Sequence, residues 1–244
     1  MSYRDKLYST YISSNISHLF GMANLDTIKK QQFPTWKRYY SGILPENKHS
    51  KIIDIGCGSG GFVYFLKWLG YENAYGIDIS PEQIQVAKNL GINNVECADD
   101  MVFLKDKQNI YDVVIAKDLI EHFPKENIIE LLALVFNSLK QGGILIIQTP
   151  NAESPFGSRF RYYDFTHSVA FTKSSLSQVL RATGFENVKC YPMGPIPHGL
   201  KSSIRFLIWN VIQILIKFYI LVETGSSDGI YTQTIIATGY KAKS

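Results

Sequence analysis

From residue 50 onward the apolar positions of this chain fall into short runs separated by stretches of helical period. The run at 51–55 is bounded by polar residues and short enough for a strand buried on both faces. Residues 62–69 follow with a helical pattern, then a second apolar run at 74–79. The stretch 81–90 reads as a helix, with Ser80 at its N-cap and Pro81 in its first turn. Strands are predicted at 94–98 and 111–116, a helix at 127–139 ended by Gly142-Gly143, and a further strand at 144–149. Strand and helix alternating at this spacing predict an α/β fold, a Rossmann-like doubly wound sheet that is mostly parallel with helices on both faces.

The flanks of this core read differently. Residues 1–50, rich in Tyr, Ser and Asn and closed by Pro45, are expected to form an N-terminal helical cap on the 51–150 core, within one domain. After Thr149 a polar, aromatic loop runs through 151–172, and a helix at 174–183 stops at Gly184. Two late strands are predicted near 187–191 and 231–240, the last one antiparallel. Between them lies an apolar insert, 199–226. Its centre, FLIWNVIQILIKFYILV at 206–222, carries only Asn210, Gln213 and Lys217 as polar residues, in one narrow helical stripe. The length is close to that of a membrane span. A single span would, however, put two strands of one sheet on opposite sides of a bilayer. The expectation for 204–222 is therefore an interfacial helix, with Trp209, Tyr219, Lys201 and Arg205 at the lipid surface, or a helix covered by a second copy of the chain or by the cap.

Composition narrows the class only a little. A chain of 244 residues with 45% hydrophobic content supports a full core. The net charge of +4 is spread out, with only Lys29-Lys30 and Lys37-Arg38 as small clusters, so no nucleic-acid partner is expected. Three cysteines, odd in number and far apart, give neither zinc spacing nor a disulfide framework. With no basic start followed by an apolar run, no secretory signal is expected. The expected location is the cytoplasm, at most peripheral on the inner face of the membrane.

Candidate chemistry begins at Asp54-Ile55-Gly56-Cys57-Gly58-Ser59-Gly60-Gly61, directly between a strand and a helix. Glycines at such a turn let the backbone approach a ligand closely. Gly56, Gly58 and Gly61 would also satisfy a dinucleotide fingerprint. Asp54 discriminates: a pyrophosphate gains nothing from a carboxylate there, whereas a ligand bearing an ammonium and a sulfonium does. Asp78 closes the second strand, 22 positions past Gly56, where an acid accepts from ribose hydroxyls. Asp99, Asp100 and Met101 follow the third strand, placed for an adenine. The segments DIGCGSG, GIDIS, ADDMVFL, YDVVIAKDLIEHF and LKQGGILIIQTPN, in that order over about 50–190, resemble class I S-adenosylmethionine-dependent methyltransferases. The resemblance implies that Asp54, Gly56, Gly58 and Gly60 hold the methionine part of S-adenosyl-L-methionine. It places Asp78 at the ribose, Asp99, Asp100 and Met101 at the adenine, and Cys57, Ile79 and Lys117 among the other residues that contact the cofactor.

At the reacting end, an acceptor must be held on the axis of the transferred methyl and, if it is an alcohol, must lose a proton. His122 is a candidate base. Asp118, Glu121 and His122 stand at i, i+3 and i+4. On one helical turn they would share a face and could ligate magnesium or manganese. Similar clusters occur in ubiquinone-pathway O-methyltransferases. Thr149-Pro150-Asn151, followed by Arg159 to His167, resembles methyltransferases of bacterial polysaccharide pathways. There His167 is an alternative base, oriented by Asp164. The residues thus imply O-methylation of a sugar hydroxyl in a surface polysaccharide or lipid-linked glycan. They leave open a metal-dependent enzyme of a phenol or quinone precursor, and a non-catalytic S-adenosylmethionine-binding module.

Overall fold

The computed structural model describes residues 3–10 and 24–243. It contains a seven-stranded sheet of order β3-β2-β1-β4-β5-β7-β6. The strands are β1 (Ile52–Ile55), β2 (Ala74–Asp78), β3 (Val95–Cys97), β4 (Tyr111–Lys117), β5 (Leu139–Pro150), β6 (Glu186–Met193) and β7 (Thr234–Tyr240). Strands β1 to β5 pair in parallel. Strand β7 lies antiparallel between β5 and β6, so β6 runs with the parallel set. This is the Rossmann-like fold expected, with β7 as the antiparallel strand.

Strand alternation divides the core in two. Ile53, Ile55, Val114, Ala116, Leu145 and Ile147 point to one face. There they meet α7 (Lys125–Ser138) and α9 (Lys173–Ala182). Ile52, Val113, Ile115, Ile144 and Ile146 point to the other face, where they meet α4 (Gly61–Trp68) and α3 (Phe33–Tyr40). Every residue of β1 is buried, which is why the central strands read as continuous apolar runs. Helix α5 (Pro81–Asn89) is capped by Ser80, whose side chain accepts from the Gln83 backbone. The described part of the N-terminal segment is α1 (Tyr3–Ser9), α2 (Leu25–Gln31) and α3. The rest of the expected cap, 11–23, lies outside the described residues. Trp36, Phe33 and Tyr40 form an aromatic cluster with Phe62 and Phe65 of α4.

Two local expectations change. Gly142-Gly143 does not end a helix. Helix α7 stops at Ser138 and β5 begins at once, and the glycines lie in a bulge where the register with β4 slips between Tyr111 and Val113. Gly142 has φ +76° there, and a Cβ on Gly143 would meet the Lys140 carbonyl at 2.8 Å. Two short helices, α6 (Asp100–Leu104) and α8 (Gly157–Arg161), fall where no helix was expected.

The apolar insert is α10 (Leu200–Thr224). Met193 of β6 pairs with Thr234 of β7, which in turn faces Pro150 at the carboxyl end of β5. The 194–233 excursion therefore leaves and re-enters the sheet at the carboxyl edge of the parallel strands. Ligands bind at that edge in open α/β folds.

Candidate cofactor and acceptor site

A cavity of about 770 Å³ opens at this edge. Its floor is the turn from β1 into α4. Gly56 has φ +64°, and a Cβ there would sit 2.6 Å from Leu119 Cδ1, so a side chain would be strained and would displace Leu119. Two acids tie the turn down: the Gly58 backbone N–H donates to Asp78 Oδ2 at 2.8 Å and that of Gly56 to Asp100 Oδ1 at 3.2 Å. Asp78 Oδ1 also accepts from Ser80 N at 2.8 Å. Asp54, Gly56, Cys57, Gly58, Asp78, Ile79, Asp99, Asp100 and Lys117 all line the cavity. Two expected residues do not. Gly60 (φ +75°) instead lets α4 pack closely, its Cβ position lying 3.0 Å from Ile92. Met101 packs against the core formed with α7. Asp99 Oδ1 is engaged as the N-cap of α6, accepting from Met101 N and Val102 N.

The electrostatics of this floor are one-sided. Asp54 is 1% exposed, and its Oδ1 has no hydrogen-bond partner. Burial, with Lys117 opposing and Asp78 and Asp118 adding to it, pushes the Asp54 carboxyl up to about 7. Burial raises Asp78 as well, and burial with neighbouring acids raises Asp100 well above the carboxylate range. Lys117 does not neutralise them. Its Nζ is bonded to Asp118 Oδ2 at 2.8 Å, and although burial pulls its pKa down, Asp118 and Asp54 more than compensate. Acids this crowded resist joint ionisation unless a cation enters. The donor set fits a ligand carrying an ammonium and a sulfonium and repels a pyrophosphate.

At the end of β4 the chain turns sharply. Asp118 has φ +53°, a conformation that only surrounding bonds can hold in a non-glycine residue. Its backbone N–H donates to Gln148 O, and its Oδ2 accepts from both Lys117 and Gln148. A 3-10 turn, Ile120–His122, begins only two residues later. The shared face expected for Asp118, Glu121 and His122 therefore does not form, because it required helical backbone from 118 onward. Among the described residues the group close enough to share an ion is Glu121, His122 and His167, with ligand atoms within 4.8 Å of one another.

These three come together because the loop after β5 folds back onto the turn. Ser168 N and Val169 N donate to the Glu121 carbonyl, and Arg161 donates to the carbonyls of His167 and Ser168. Arg161 and Asn151, expected near an acceptor, thus hold the loop; Asn151 Nδ2 donates to the Ile230 and Thr232 carbonyls. Thr166 Oγ1 donates to Asp164 Oδ1 at 2.6 Å and lies 2.7 Å from His122 Nδ1. A hydroxyl whose proton is given to a carboxylate can only accept from the ring, so His122 Nδ1 carries a proton. In the neutral imidazole the lone pair is then on Nε2. His167 Nδ1 likewise donates to the Phe160 carbonyl at 2.9 Å. Asp164, expected to orient His167, orients His122 through Thr166. Glu121 is 1% exposed. Its Oε2 accepts from Thr149 Oγ1, its Oε1 is unpartnered, and burial with the Asp118 charge raises its pKa to about 8.

Several lining residues had no motif to reveal them. Asn24, Ile28, Gln32 and Trp36 recur every four positions and line the cavity from the residue before α2, from α2, from the residue between α2 and α3, and from α3. Tyr8 lies edge-on to His122, ring centroids 6.3 Å apart. The four-residue spacing is visible in the sequence, but only the fold shows that this stripe faces a ligand site.

Comparison with known proteins agrees with this geometry. The chain is 26% identical over 151 residues to a phosphoethanolamine N-methyltransferase of Plasmodium falciparum, covering 58% of this chain and 56% of that protein. It spans about half the length of the curated relatives it matches first. An S-adenosylmethionine-dependent methyltransferase structure from Archaeoglobus fulgidus superposes with TM-score 0.65 and 22% identity, over 98% of this chain and all of that one. A Haemonchus contortus phosphoethanolamine N-methyltransferase in complex with S-adenosyl-L-methionine superposes with TM-score 0.64 and 18% identity, over all of this chain and 60% of that one. The model of a methyltransferase-domain family matches residues 28–190, the span that holds the glycine turn, the acids of the cavity and the histidine pair. The chain belongs to this methyltransferase-domain family and carries the fold of S-adenosylmethionine-dependent methyltransferases.

Proposed function

We propose that this domain binds S-adenosyl-L-methionine in the acid-lined cavity and methylates a hydroxyl of a sugar, on a lipid-linked or surface glycan, at the cytoplasmic side of a membrane. The observation that carries the reading is the meeting of two features at one edge. Buried Asp54 has a carboxylate oxygen with no hydrogen-bond partner, and His122 presents an imidazole whose tautomer is fixed by Thr166 and Asp164. When bound, the cofactor supplies an electrophilic methyl on a sulfonium. The residues do the rest. Asp54 receives the ammonium, Asp78 the ribose hydroxyls, and Asp99 with the Asp100 backbone the adenine edge. Leu119, Phe123 and Trp36 exclude water from the floor. His122 Nε2 accepts the acceptor's hydroxyl proton as the new bond forms, and the Asp164–Thr166 pair stabilises the resulting imidazolium. Exposed Tyr162 and Phe165 beside His167, and exposed Arg159 earlier in the same loop, offer aromatic and cationic surface to a polyhydroxylated acceptor. Mass spectrometry of glycans extracted with and without the protein tests this reading. It predicts a methyl group lost with the protein and not restored by His122→Ala; unchanged glycans would overturn the sugar assignment.

A second reading has its own observation. Glu121 Oε1 is buried without a partner beside His122 and His167, whose Nδ1 atoms are both occupied as donors. One carboxylate and two imidazoles with supported outer nitrogens form a fitting donor set for a divalent metal. The imidazole content suits manganese better than magnesium. In this variant the metal would polarise the acceptor oxygen, which extends the acceptor range to phenols or quinone precursors.

A further inference from the structure

Helix α10 has no buried residue along its 25 positions, yet it is long and apolar. It is not uniform around its axis. Phe206, Trp209, Gln213 and Ile216, spaced by three and four, are partly covered, with the Trp209 indole against Gly194. That face rests on the protein, so Trp209 is not the outward anchor that the sequence led us to expect. The opposite face carries Leu207, Val211, Ile214, Leu215, Phe218 and Val222, each more than half exposed. At 100° per residue these six fall within one sector, while Lys201 and Arg205 fall on one border of it and Lys217 on the other. Glu223, in the last turn, is the helix's one acid.

We propose that the outward face of α10 seats the protein on an anionic lipid surface, its apolar sector entering the headgroup boundary and Lys201, Arg205 and Lys217 meeting lipid phosphates. The inference goes beyond the proposed chemistry and does not depend on the acceptor. Three observations support it. The sheet excludes spanning, because Met193 and Thr234 pair at the two ends of the excursion. Charge favours lipid over a second copy. Three cations border the face and the helix has one acid to answer them, so a second copy of the same face leaves most of them unanswered, whereas anionic headgroups complement all three. Finally, α10 leaves the sheet at the same carboxyl edge as the loop carrying exposed Phe156, Tyr162 and Phe165, next to His122. A docked helix holds the acceptor site near the lipid.

Flotation of the full chain with phosphatidylglycerol-containing and pure phosphatidylcholine vesicles tests this. The expected result is recovery with the anionic vesicles. Partitioning should fall at least tenfold in the Val211→Ser/Phe218→Ser double variant, and the anionic preference should be lost in Lys201→Glu/Arg205→Glu/Lys217→Glu. Calorimetry with S-adenosylhomocysteine on each variant checks the fold, since these residues do not line the cavity. Phe218→Trp supplies a second readout: its fluorescence should shift to the blue on anionic vesicles. A chain that stays in the soluble fraction overturns the proposal. So does a dimer in analytical centrifugation that falls to monomer in the same double variant, because the face then belongs to a second copy. Equal recovery on both vesicle types would overturn the anionic partner.

Discussion

Replacing Asp54 by Asn should stabilise the ligand-free protein and abolish cofactor binding, and the stabilisation should grow with pH. Burial holds the Asp54 carboxyl at about 7 against an ordinary 3.8. A raised folded pKa means that the folded state keeps a proton the unfolded chain releases. The associated stability is complete below pH 3.8, declines as pH rises, and is fully lost above about 7. At about 1.4 kcal/mol per pKa unit, the deficit is on the order of 2 kcal/mol at pH 5 and on the order of 4 kcal/mol at pH 8. Asn at the same position does not titrate. Any packing difference it introduces is the same at both pH values and cancels in the comparison. The gap in Tm between variant and wild type should therefore widen by roughly 4–8 °C from pH 5 to pH 8, at about 2–4 °C per kcal/mol for a chain of this size. Scanning calorimetry of the ligand-free proteins at the two pH values measures it. A gap that does not change with pH would show that Asp54 is not a strained buried acid and would remove the main electrostatic argument for a cationic ligand.

Other outcomes follow from the same geometry. His122→Ala should lower turnover by roughly 10²–10⁴-fold with S-adenosylhomocysteine affinity nearly intact. Thr166→Val should cost less and displace the acid limb of the pH–rate profile, because it releases the ring from Asp164; identical profiles would contradict the relay. Chelation separates the two readings of the histidine pair: activity lost with chelator and restored by manganese, but not in Glu121→Gln, would favour the metal, and indifference to chelator would favour His122 as base. Gly60→Ala places a side chain at φ +75° and 3.0 Å from Ile92. It should lower stability by about 1–3 kcal/mol as read by urea unfolding, and an unchanged midpoint would contradict the close packing of α4.

What the sequence made legible was what local chemistry encodes. The buried strands appear as apolar runs, the β1–α4 turn as a glycine cluster, and the start of α5 as Ser80-Pro81, because each depends on residues within a few positions. Asp54 stood out because a carboxylate beside that turn has few other uses. The histidine cluster was only half readable. His167 lies 45 positions after His122, and its place depends on Arg161 and the Glu121 carbonyl drawing a loop back onto the turn. Asp118 misled, because its left-handed backbone is imposed by Gln148 and Lys117 rather than by neighbours in sequence. Helices α6 and α8 are too short to show a period. The orientation of Trp209 was hidden because nearly every position of α10 is apolar, and only the contact at Gly194 shows which face rests on the protein.

Whether the acid-lined cavity holds S-adenosylmethionine is decided by calorimetry with S-adenosylhomocysteine. One site per chain is expected, lost in Asp54→Asn and in Asp78→Ala. Affinity should fall as pH drops below about 7, because the ammonium must meet an ionised Asp54, and no heat should appear with a nicotinamide dinucleotide. Binding of the dinucleotide in its place, or S-adenosylhomocysteine binding that survives Asp54→Asn at every pH, would contradict S-adenosylmethionine as the ligand of this cavity.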